Sequence, residues 1–179
     1  MVDDPLWAPW RLAYIVGNKE QPRANGGELP LLDGAAPDCF LCQAAVDAKT
    51  PDRYVVEIGK HVVTVLNRYP YNNGHLLVAP RRHVARLDAL TPSAEVELAR
   101  TITRMVGAIE AILHPEGFNV GLNLGHAAGA GLPGHLHWHI VPRWSADTNF
   151  MPVIGRTNVI PQSLETFWEL LTAQLQQRI

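Results

Sequence analysis

GHLHWHIVPRW, residues 134–144, places histidines at three alternate positions, His135, His137 and His139, with large apolar residues between them. Successive side chains of a β-strand point to opposite faces of the sheet. The segment LHWHIVP, residues 136–142, therefore predicts a core strand. Its apolar residues pack beneath a helix, and the three imidazoles share the other face.

Three imidazoles on one face favour chemistry over a purely structural role. His135 and His139 would lie roughly 13 Å apart at about 3.3 Å per residue. Zn–N bonds of about 2.1 Å cannot gather all three rings onto one ion. A neutral imidazole is a nucleophile near pH 7 and can carry a transferred group. The pattern favours nucleophilic catalysis at phosphorus, with His137, the middle residue, as the nucleophile.

A loop and a lysine are further candidates for contacts with phosphate. The loop GHAAGAGLPG, residues 125–134, directly precedes the histidines, and its backbone N–H groups would approach the same phosphates. Lys60, at a predicted hairpin turn, has the reach to contact a phosphate as well.

The rest of the chain alternates between strand and helix patterns. β-branched runs around Gly59–Lys60 predict a hairpin, and apolar residues at helical spacing after Thr91 predict a helix that ends at His114–Gly117. This order predicts an α+β fold, an antiparallel sheet with packed helices. The predicted elements are strands within 54–66, 75–80, 118–124 and 136–142, and helices from 91 and from 163.

Composition bounds the class of protein. The chain has 179 residues, is 47% hydrophobic and carries a formal charge of −2, so nucleic acid and anionic membranes are not expected partners. No apolar run approaches the ~20 residues of a membrane span. The first ten residues lack an apolar signal core, which predicts a cytoplasmic protein. We divide the chain into an N-terminal arm and loop (1–37), a central domain (38–145) and a C-terminal extension with a helix (146–179).

The two cysteines, Cys39 and Cys42, stand in the pattern C-F-L-C. A disulfide across this spacing would close a very small loop. The pattern therefore favours metal ligation or redox chemistry over a structural disulfide.

The motif H-L-H-W-H-I-V resembles the His-x-His-x-His-x-x signature of the histidine triad (HIT) superfamily. Upstream, LNRYPYNNGHLLVAPRRH is similar to the Asn…Pro…Gly-His…Pro…His block of that family. The segments WAPWRLAYI, FNVGLNLG and VPRWSADTNFMPVIGRTNVIPQ resemble one subgroup, the bacterial diadenosine tetraphosphate phosphorylase-like proteins. The resemblance implies a five-stranded HIT fold and a homodimer, or a higher homo-oligomer, whose subunits join their sheets.

The resemblance also implies roles for individual residues. His137 matches the nucleophile that forms a covalent nucleotidyl-histidine, and His139 matches the histidine that contacts phosphate. Asn67 matches the position near the ribose and base, and Asn123 the polar residue near the phosphates. His75, in the upstream block, is expected to support the core. A third histidine where the hexose-1-phosphate uridylyltransferase branch has glutamine argues against that branch.

One part of the pattern departs from the family. The loop before the triad usually offers a Ser or Thr hydroxyl to phosphate, whereas here it reads Gly129-Ala130-Gly131-Leu132. Backbone amides of Gly129, Ala130 and Gly131 are then the expected donors. The departure leaves open whether inorganic phosphate or water takes the nucleotidyl group.

A structural Zn²⁺ is the implied cofactor. C-x-x-C supplies two of the four ligands that zinc needs. By resemblance to several HIT branches, the other two are His83, in the P-x-x-H block, and His135. This assignment gives Cys39, Cys42, His83 and His135 to the metal and leaves His137 to the substrate.

Three functions remain in competition at this point. The first is cleavage of a dinucleoside polyphosphate, by phosphorolysis or by hydrolysis. The second is hydrolysis of a nucleoside phosphoramidate. The third is a zinc-stabilised protein that binds such nucleotides without turnover, which the loop without a hydroxyl favours.

Overall fold

The computed structural model describes residues 29–145, 147 and 160–177. The aromatic residues of the predicted N-terminal arm, such as Trp7 and Trp10, lie outside the described residues. Within that range, no helix combines the length and the apolar character that crossing a membrane requires.

A single five-stranded antiparallel sheet forms the centre of the described chain, as the alternating patterns predict. Each strand pairs only with antiparallel neighbours, in the spatial order β1-β2-β3-β5-β4. The hairpin predicted around Gly59–Lys60 is confirmed as the connection from β1 to β2. The strands are β1 (Val55–Ile58), β2 (Val62–Leu66), β3 (Leu76–Pro80), β4 (Gly117–Leu122) and β5 (Trp138–Arg143).

Among the described residues, three α-helices accompany the sheet: α1 (Phe40–Ala44), α2 (Pro92–Leu113) and α3 (Leu164–Gln176). The start of α2 follows the sequence prediction, because the Thr91 hydroxyl accepts from the backbone N–H of Ala94 and a proline follows at the first helical position. Ser163 caps α3 in the same way, through the N–H of Thr166.

The two faces of the sheet carry separate apolar cores. On one face, α2 and α3 pack over residues that include Val62, Leu76 and Ile140. On the other face, α1 and both cysteines pack against β2 and β3 through residues such as Val63 and Leu77. The short helix with the cysteines and the long helices therefore lie on opposite sides of one sheet.

The last core strand begins later than the sequence predicts. β5 starts at Trp138, so His135 and His137 lie in the segment before the strand and the prediction of one strand face for all three histidines is wrong. The N–H of His135 donates to the carbonyl O of Leu132, and the N–H of Leu136 donates to the carbonyl O of Val84. Neither bond belongs to the hydrogen-bond ladder of the sheet. The apolar half of the prediction is confirmed, because Trp138 and Ile140 belong to the core beneath α2.

Candidate active site and metal centre

Four side chains predicted as metal ligands converge at one point. Cys39 and Cys42 come from the N-terminal end of α1, His83 from the loop after β3, and His135 from the segment before β5. Their sulfur and ring-nitrogen atoms all lie within 4.8 Å of one another. The tertiary structure therefore brings together two thiols and two imidazoles that are distant in sequence.

The distances within this cluster suit a tetrahedral ion. The Sγ of Cys39 lies 3.3 Å from Nδ1 of His135, and the Sγ of Cys42 lies 3.3 Å from Nδ1 of His83 and 3.6 Å from Nδ1 of His135. Tetrahedral Zn–S bonds of about 2.3 Å and Zn–N bonds of about 2.1 Å would separate sulfur from nitrogen by about 3.6 Å. Small adjustments would fit a four-coordinate metal.

The backbone orients His135 as a ligand. Its Nε2–H donates to the carbonyl O of Pro80 at 2.8 Å, so Nδ1 carries the lone pair on the side of the sulfurs. A hydrogen bond from the second ring nitrogen to a backbone carbonyl is the usual way to orient a metal-bound histidine.

Burial keeps Cys39 and His135 neutral when no cation accompanies them. Burial raises the pKa of the Cys39 thiol to about 12 and lowers the pKa of His135 to about 4. Both cysteines and His135 are almost fully buried. A divalent cation would offset the cost of a buried thiolate, which is the arrangement that structural zinc sites use.

His137 is attached to the metal cluster through one backbone group. Its Nδ1–H donates to the carbonyl O of His135 at 2.8 Å. A carbonyl only accepts, so the proton is on Nδ1 and the basic lone pair of the imidazole is on Nε2. The tautomer that a nucleophilic Nε2 needs is therefore set by the same residue whose ring lies among the cysteines.

A chain of hydrogen bonds sets the tautomer of His139. The backbone N–H of Tyr71 donates to Nδ1 of His75 at 3.0 Å, so the proton of His75 is on Nε2. That Nε2–H donates to Nδ1 of His139 at 2.9 Å, which places the proton of His139 on Nε2. The rings of His137 and His139 are 5.1 Å apart, so a basic nitrogen and an N–H donor belong to adjacent imidazoles.

His75 is the site residue whose role the sequence reasoning missed. It is buried, as expected for a residue that supports the core, but it also contacts His139 directly. The sequence signal that could have revealed this role is the position of His75 directly after Gly74, in the Gly-His part of the block that resembles the family. Because strands β3 and β5 are neighbours, the start of β3 lies beside His139 of β5.

The structure gives Asn67 contacts within the protein. Its Nδ2 amide donates to Nδ1 of His75 at 3.2 Å, and its Oδ1 accepts from the backbone N–H of Tyr69 at 3.0 Å. These contacts link Asn67 to the His75–His139 pair. A contact between Asn67 and a ribose stays a prediction.

The loop before the triad folds back on itself. Asn123 lies beside it, with Nδ2 at 3.5 Å from the carbonyl O of Gly129. The N–H of Gly129 donates to the carbonyl O of His126, and the N–H of Ala130 donates to the carbonyl O of Gly125. The sequence analysis assigned the backbone N–H groups of Gly129, Ala130 and Gly131 to phosphate. Two of them, those of Gly129 and Ala130, instead donate to carbonyls of the loop itself.

Lys60 lies in a different place from the histidines of the triad. It lines a groove together with Arg81 and Arg82, between the β1–β2 turn and the start of α2. A phosphate in contact with Lys60 would therefore lie in this groove, whose lining includes none of the three triad histidines.

Comparisons with known proteins identify the family of this chain. Residues 48–146 match the family model described as the HIT domain. The chain is 40% identical over 169 residues to the AP-4-A phosphorylase of Mycobacterium tuberculosis, across 94% of this chain and 83% of that protein. It is 39% identical over 82 residues to the asymmetrical bis(5'-nucleosyl)-tetraphosphatase of Schizosaccharomyces pombe, across 46% of this chain and 44% of that protein.

A solved structure that resembles the fold is described as zinc-bound. The zinc-bound histidine triad family protein of Mycobacterium smegmatis superposes with a TM-score of 0.60 at 26% identity, across 78% of this chain and 93% of that one. The family match covers more than half of the sequence and contains all three triad histidines. This chain belongs to the histidine triad (HIT) family.

Proposed function

We propose that this chain cleaves dinucleoside polyphosphates through a covalent nucleotidyl intermediate on His137. The observation that carries the proposal is the hydrogen bond from His137 Nδ1–H to the carbonyl O of His135, because it directs the basic lone pair to Nε2. The similarity to an AP-4-A phosphorylase over most of the chain supports this class of substrate.

The reaction has two displacements at one phosphorus. Nε2 of His137 attacks an α-phosphorus of the substrate and forms an N–P bond, while the P–O bond to the leaving nucleoside polyphosphate breaks. A second nucleophile then attacks the same phosphorus and the N–P bond breaks, which restores the imidazole. Inorganic phosphate as the second nucleophile gives a nucleoside diphosphate, and water gives a nucleoside monophosphate.

His139 would stabilise the charge that develops in both displacements. The proton that its Nε2 carries is a hydrogen-bond donor next to His137. Donors that are already oriented before the reaction lower the barrier without reorganisation. His75 acts through His139, so we assign it as a positioning residue.

Zinc would have a structural role in this proposal. Cys39, Cys42, His83 and His135 supply two sulfur and two nitrogen ligands, the composition of a closed zinc site with no position for substrate. A zinc ion in that site would neutralise the buried thiolates and hold the backbone of His135. The carbonyl O of His135 would then hold the imidazole of His137 in its orientation through the hydrogen bond from Nδ1–H.

We also propose that two copies of the chain associate through β4. This strand is at the edge of the sheet, and about half of the Val120 side chain is exposed there. Long apolar edges are usually paired or covered. Light scattering coupled to size exclusion tests this: a dimer that Val120→Lys dissociates supports the association, and a monomeric wild-type chain contradicts it.

Product analysis on diadenosine tetraphosphate tests the activity. Reactions with and without inorganic phosphate are resolved by ion-exchange chromatography. ATP plus ADP only when phosphate is present identifies a phosphorylase, and ATP plus AMP in both reactions identifies a hydrolase. Quenching in denaturant at alkaline pH should also trap a nucleotidyl adduct on the wild-type protein, because an N–P bond to imidazole survives base and is hydrolysed by acid. Absence of products and adduct in both reactions would overturn the proposal.

The folded-back loop favours hydrolysis as the second candidate outcome. Because the N–H groups of Gly129 and Ala130 already donate within the loop, fewer donors are available to hold an acceptor phosphate. Retention of phosphorolysis would mean that the loop rearranges when phosphate binds.

A further inference from the structure

A groove lined by basic residues lies at one end of the sheet, and we refer to it as the basic groove. The β1–β2 turn contributes Lys60 and His61 to it, and the residues after β3 contribute Arg81 and Arg82. Ser93, in the first turn of α2, closes the opposite side. Its lining shares no residue with the triad or with the four candidate metal ligands.

The charge on this groove is not compensated by its own lining. The lining residues include three permanent cations and no Asp or Glu. In the described part of the chain, none of these three cations forms an ion pair. The carboxylate of Glu97, outside this lining, accepts from the backbone N–H of His61 at 3.0 and 3.1 Å. Like charges around one concave surface concentrate a positive potential that attracts anions.

Hydrogen bonds to the β1–β2 turn hold Arg81 in place, and its Nε has no acceptor within the described ranges. Its backbone N–H donates to the carbonyl O of His61, and its Nη1 donates to the carbonyl O of Gly59 at 3.1 Å. Its Nε is buried and has no acceptor among the described residues. With Nη1 committed, the Nε–Nη2 edge is the remaining fork, and a movement of the guanidinium that exposed Nε would let this fork bind phosphate in a bidentate manner.

The start of α2 adds to the same potential. Thr91 caps this 22-residue helix by accepting from the N–H of Ala94, so the positive end of the helix lies at the groove. The Ser93 hydroxyl, which is hydrogen-bonded to the Thr91 hydroxyl at 3.1 Å, lies at the rim of the groove. This contribution is an addition to the three cations and to the Arg81 fork.

We propose that the basic groove is a second anion-binding site, specific for a phosphate group, outside the histidine site. Three cations more than offset the charge of a phosphate monoester, which is close to −2 at neutral pH. The Arg81 fork supplies two parallel donors, and Lys60 and Arg82 supply the remaining charge. The phosphate belongs either to free inorganic phosphate or to a nucleotide, and the test separates these two sources.

The test is a ¹H–¹⁵N NMR titration of the full chain in its zinc-loaded form. One arm uses inorganic phosphate as the probe and the other uses ADP. We expect saturable shifts of the backbone amides of Lys60, Arg82 and Ser93, with an affinity that falls as the salt concentration rises. Inorganic phosphate binding at least as tightly as ADP assigns the site to the free anion. Tighter binding of ADP assigns it to a nucleotide phosphate.

Two substitutions and a matched control identify the residues responsible. Arg82→Ala removes an exposed cation and should weaken binding by roughly three- to tenfold. Arg81→Lys keeps the charge but removes the fork and should also weaken binding. Arg100→Ala removes an exposed arginine from α2 outside the groove and should leave the affinity within about twofold of wild type.

Two results would overturn the proposal. One is the absence of saturable shifts in the groove at millimolar phosphate and ADP. The other is an affinity that Arg82→Ala and Arg100→Ala change equally. Amides of residues 137–139 report the histidine site in the same spectra, so failure in the groove is distinguishable from failure of the proposed catalytic function.

Discussion

The carbonyl O of His135 accepts the Nδ1–H of His137 at 2.8 Å, while the ring of the same His135 lies 3.3 Å from the sulfur of Cys39. One residue therefore contacts both the candidate metal centre and the candidate nucleophile. Its side chain belongs to the metal cluster, and its backbone sets the tautomer of the neighbour. A change in either site would be transmitted to the other through two residues of chain.

Replacement of the nucleophile should abolish turnover without unfolding the protein. For His137→Ala we expect the rate on diadenosine tetraphosphate to fall by at least about a thousandfold, because no other imidazole has its lone pair in this position. Initial rates measure the effect, and circular dichroism melting checks the fold. His114→Asn is the matched control, since Asn tolerates the left-handed conformation of that helix cap. A His137→Ala enzyme with ordinary rates would refute the covalent scheme.

Metal removal should destabilise the fold. We expect about one equivalent of zinc per chain, and a site occupied a thousandfold above its Kd contributes about 4 kcal/mol. At 2–4 °C per kcal/mol, a strong chelator should lower the melting temperature by roughly 8 to 16 °C. Cys42→Ser should melt at the lower temperature and show no further response to chelator. Less than a tenth of an equivalent of zinc in protein purified without chelator would exclude the metal site.

His75 should affect catalysis through the protonation of His139. His75→Phe removes the donor to Nδ1 of His139, so we expect kcat to fall by roughly ten- to a hundredfold. ¹⁵N NMR of the imidazoles should show His139 protonated at Nε2 in the wild type and a mixture of tautomers in His75→Phe.

His75→Gln is the conservative control for this prediction. Its side-chain amide has an acceptor for the Tyr71 N–H and a donor for His139, so it should recover part of both readouts. An unchanged His139 tautomer in His75→Phe would show that His75 only fills the core.

Stability at acidic pH should depend on Asp47. Its carboxylate accepts from the Thr50 hydroxyl and from Nε of Arg53, and these bonds lower the pKa of Asp47 to about 2. A lowered folded-state pKa gives stability that is complete above the unfolded value of 3.8 and is lost as the pH falls toward 2. Asp47→Asn should therefore cost about 1 to 2 kcal/mol at pH 7 and progressively less below pH 4.

Urea unfolding of wild type and Asp47→Asn between pH 7 and pH 3 measures this difference. Asp33→Asn, an exposed aspartate before the cysteines, is the control and should change stability little at any pH. A difference between Asp47→Asn and wild type that stays constant across this range would contradict the prediction.

Gly74 should tolerate no side chain. It has a φ of +77°, and an added Cβ would lie 2.8 Å from Cδ1 of Leu113 and 3.2 Å from Cγ of Pro142. Gly74→Ala should therefore lower the free energy of unfolding by about 2 to 4 kcal/mol, from backbone strain plus overpacking.

Gly34→Ala separates these two terms. Gly34 has a similar φ of +74°, but nothing lies within 4 Å of its Cβ position. We expect only the backbone cost of about 1 kcal/mol there. Equal losses in the two variants, measured by urea unfolding, would show that the contacts of Gly74 contribute nothing.

Local patterns in the sequence predicted most of the fold. Two runs of β-branched residues around Gly59–Lys60 predicted the β1–β2 hairpin, and Thr91 followed by proline predicted the start of α2, because both depend on neighbours in the chain. The start of β5 was predicted wrongly, because the N–H of His135 closes a local turn onto Leu132 and the N–H of Leu136 donates to the carbonyl O of the distant residue Val84.

By itself, the sequence determined the residue types of the site: a C-x-x-C pair, two partner histidines and three alternate imidazoles. Only the tertiary structure decided what each ring nitrogen does. Cys39 meets a ring 96 positions away, and His75 meets His139 across 64 positions. The protonated nitrogen of each imidazole depends on which carbonyl or N–H lies opposite it. Strand order and loop conformation set that, and spacing along the chain does not encode it.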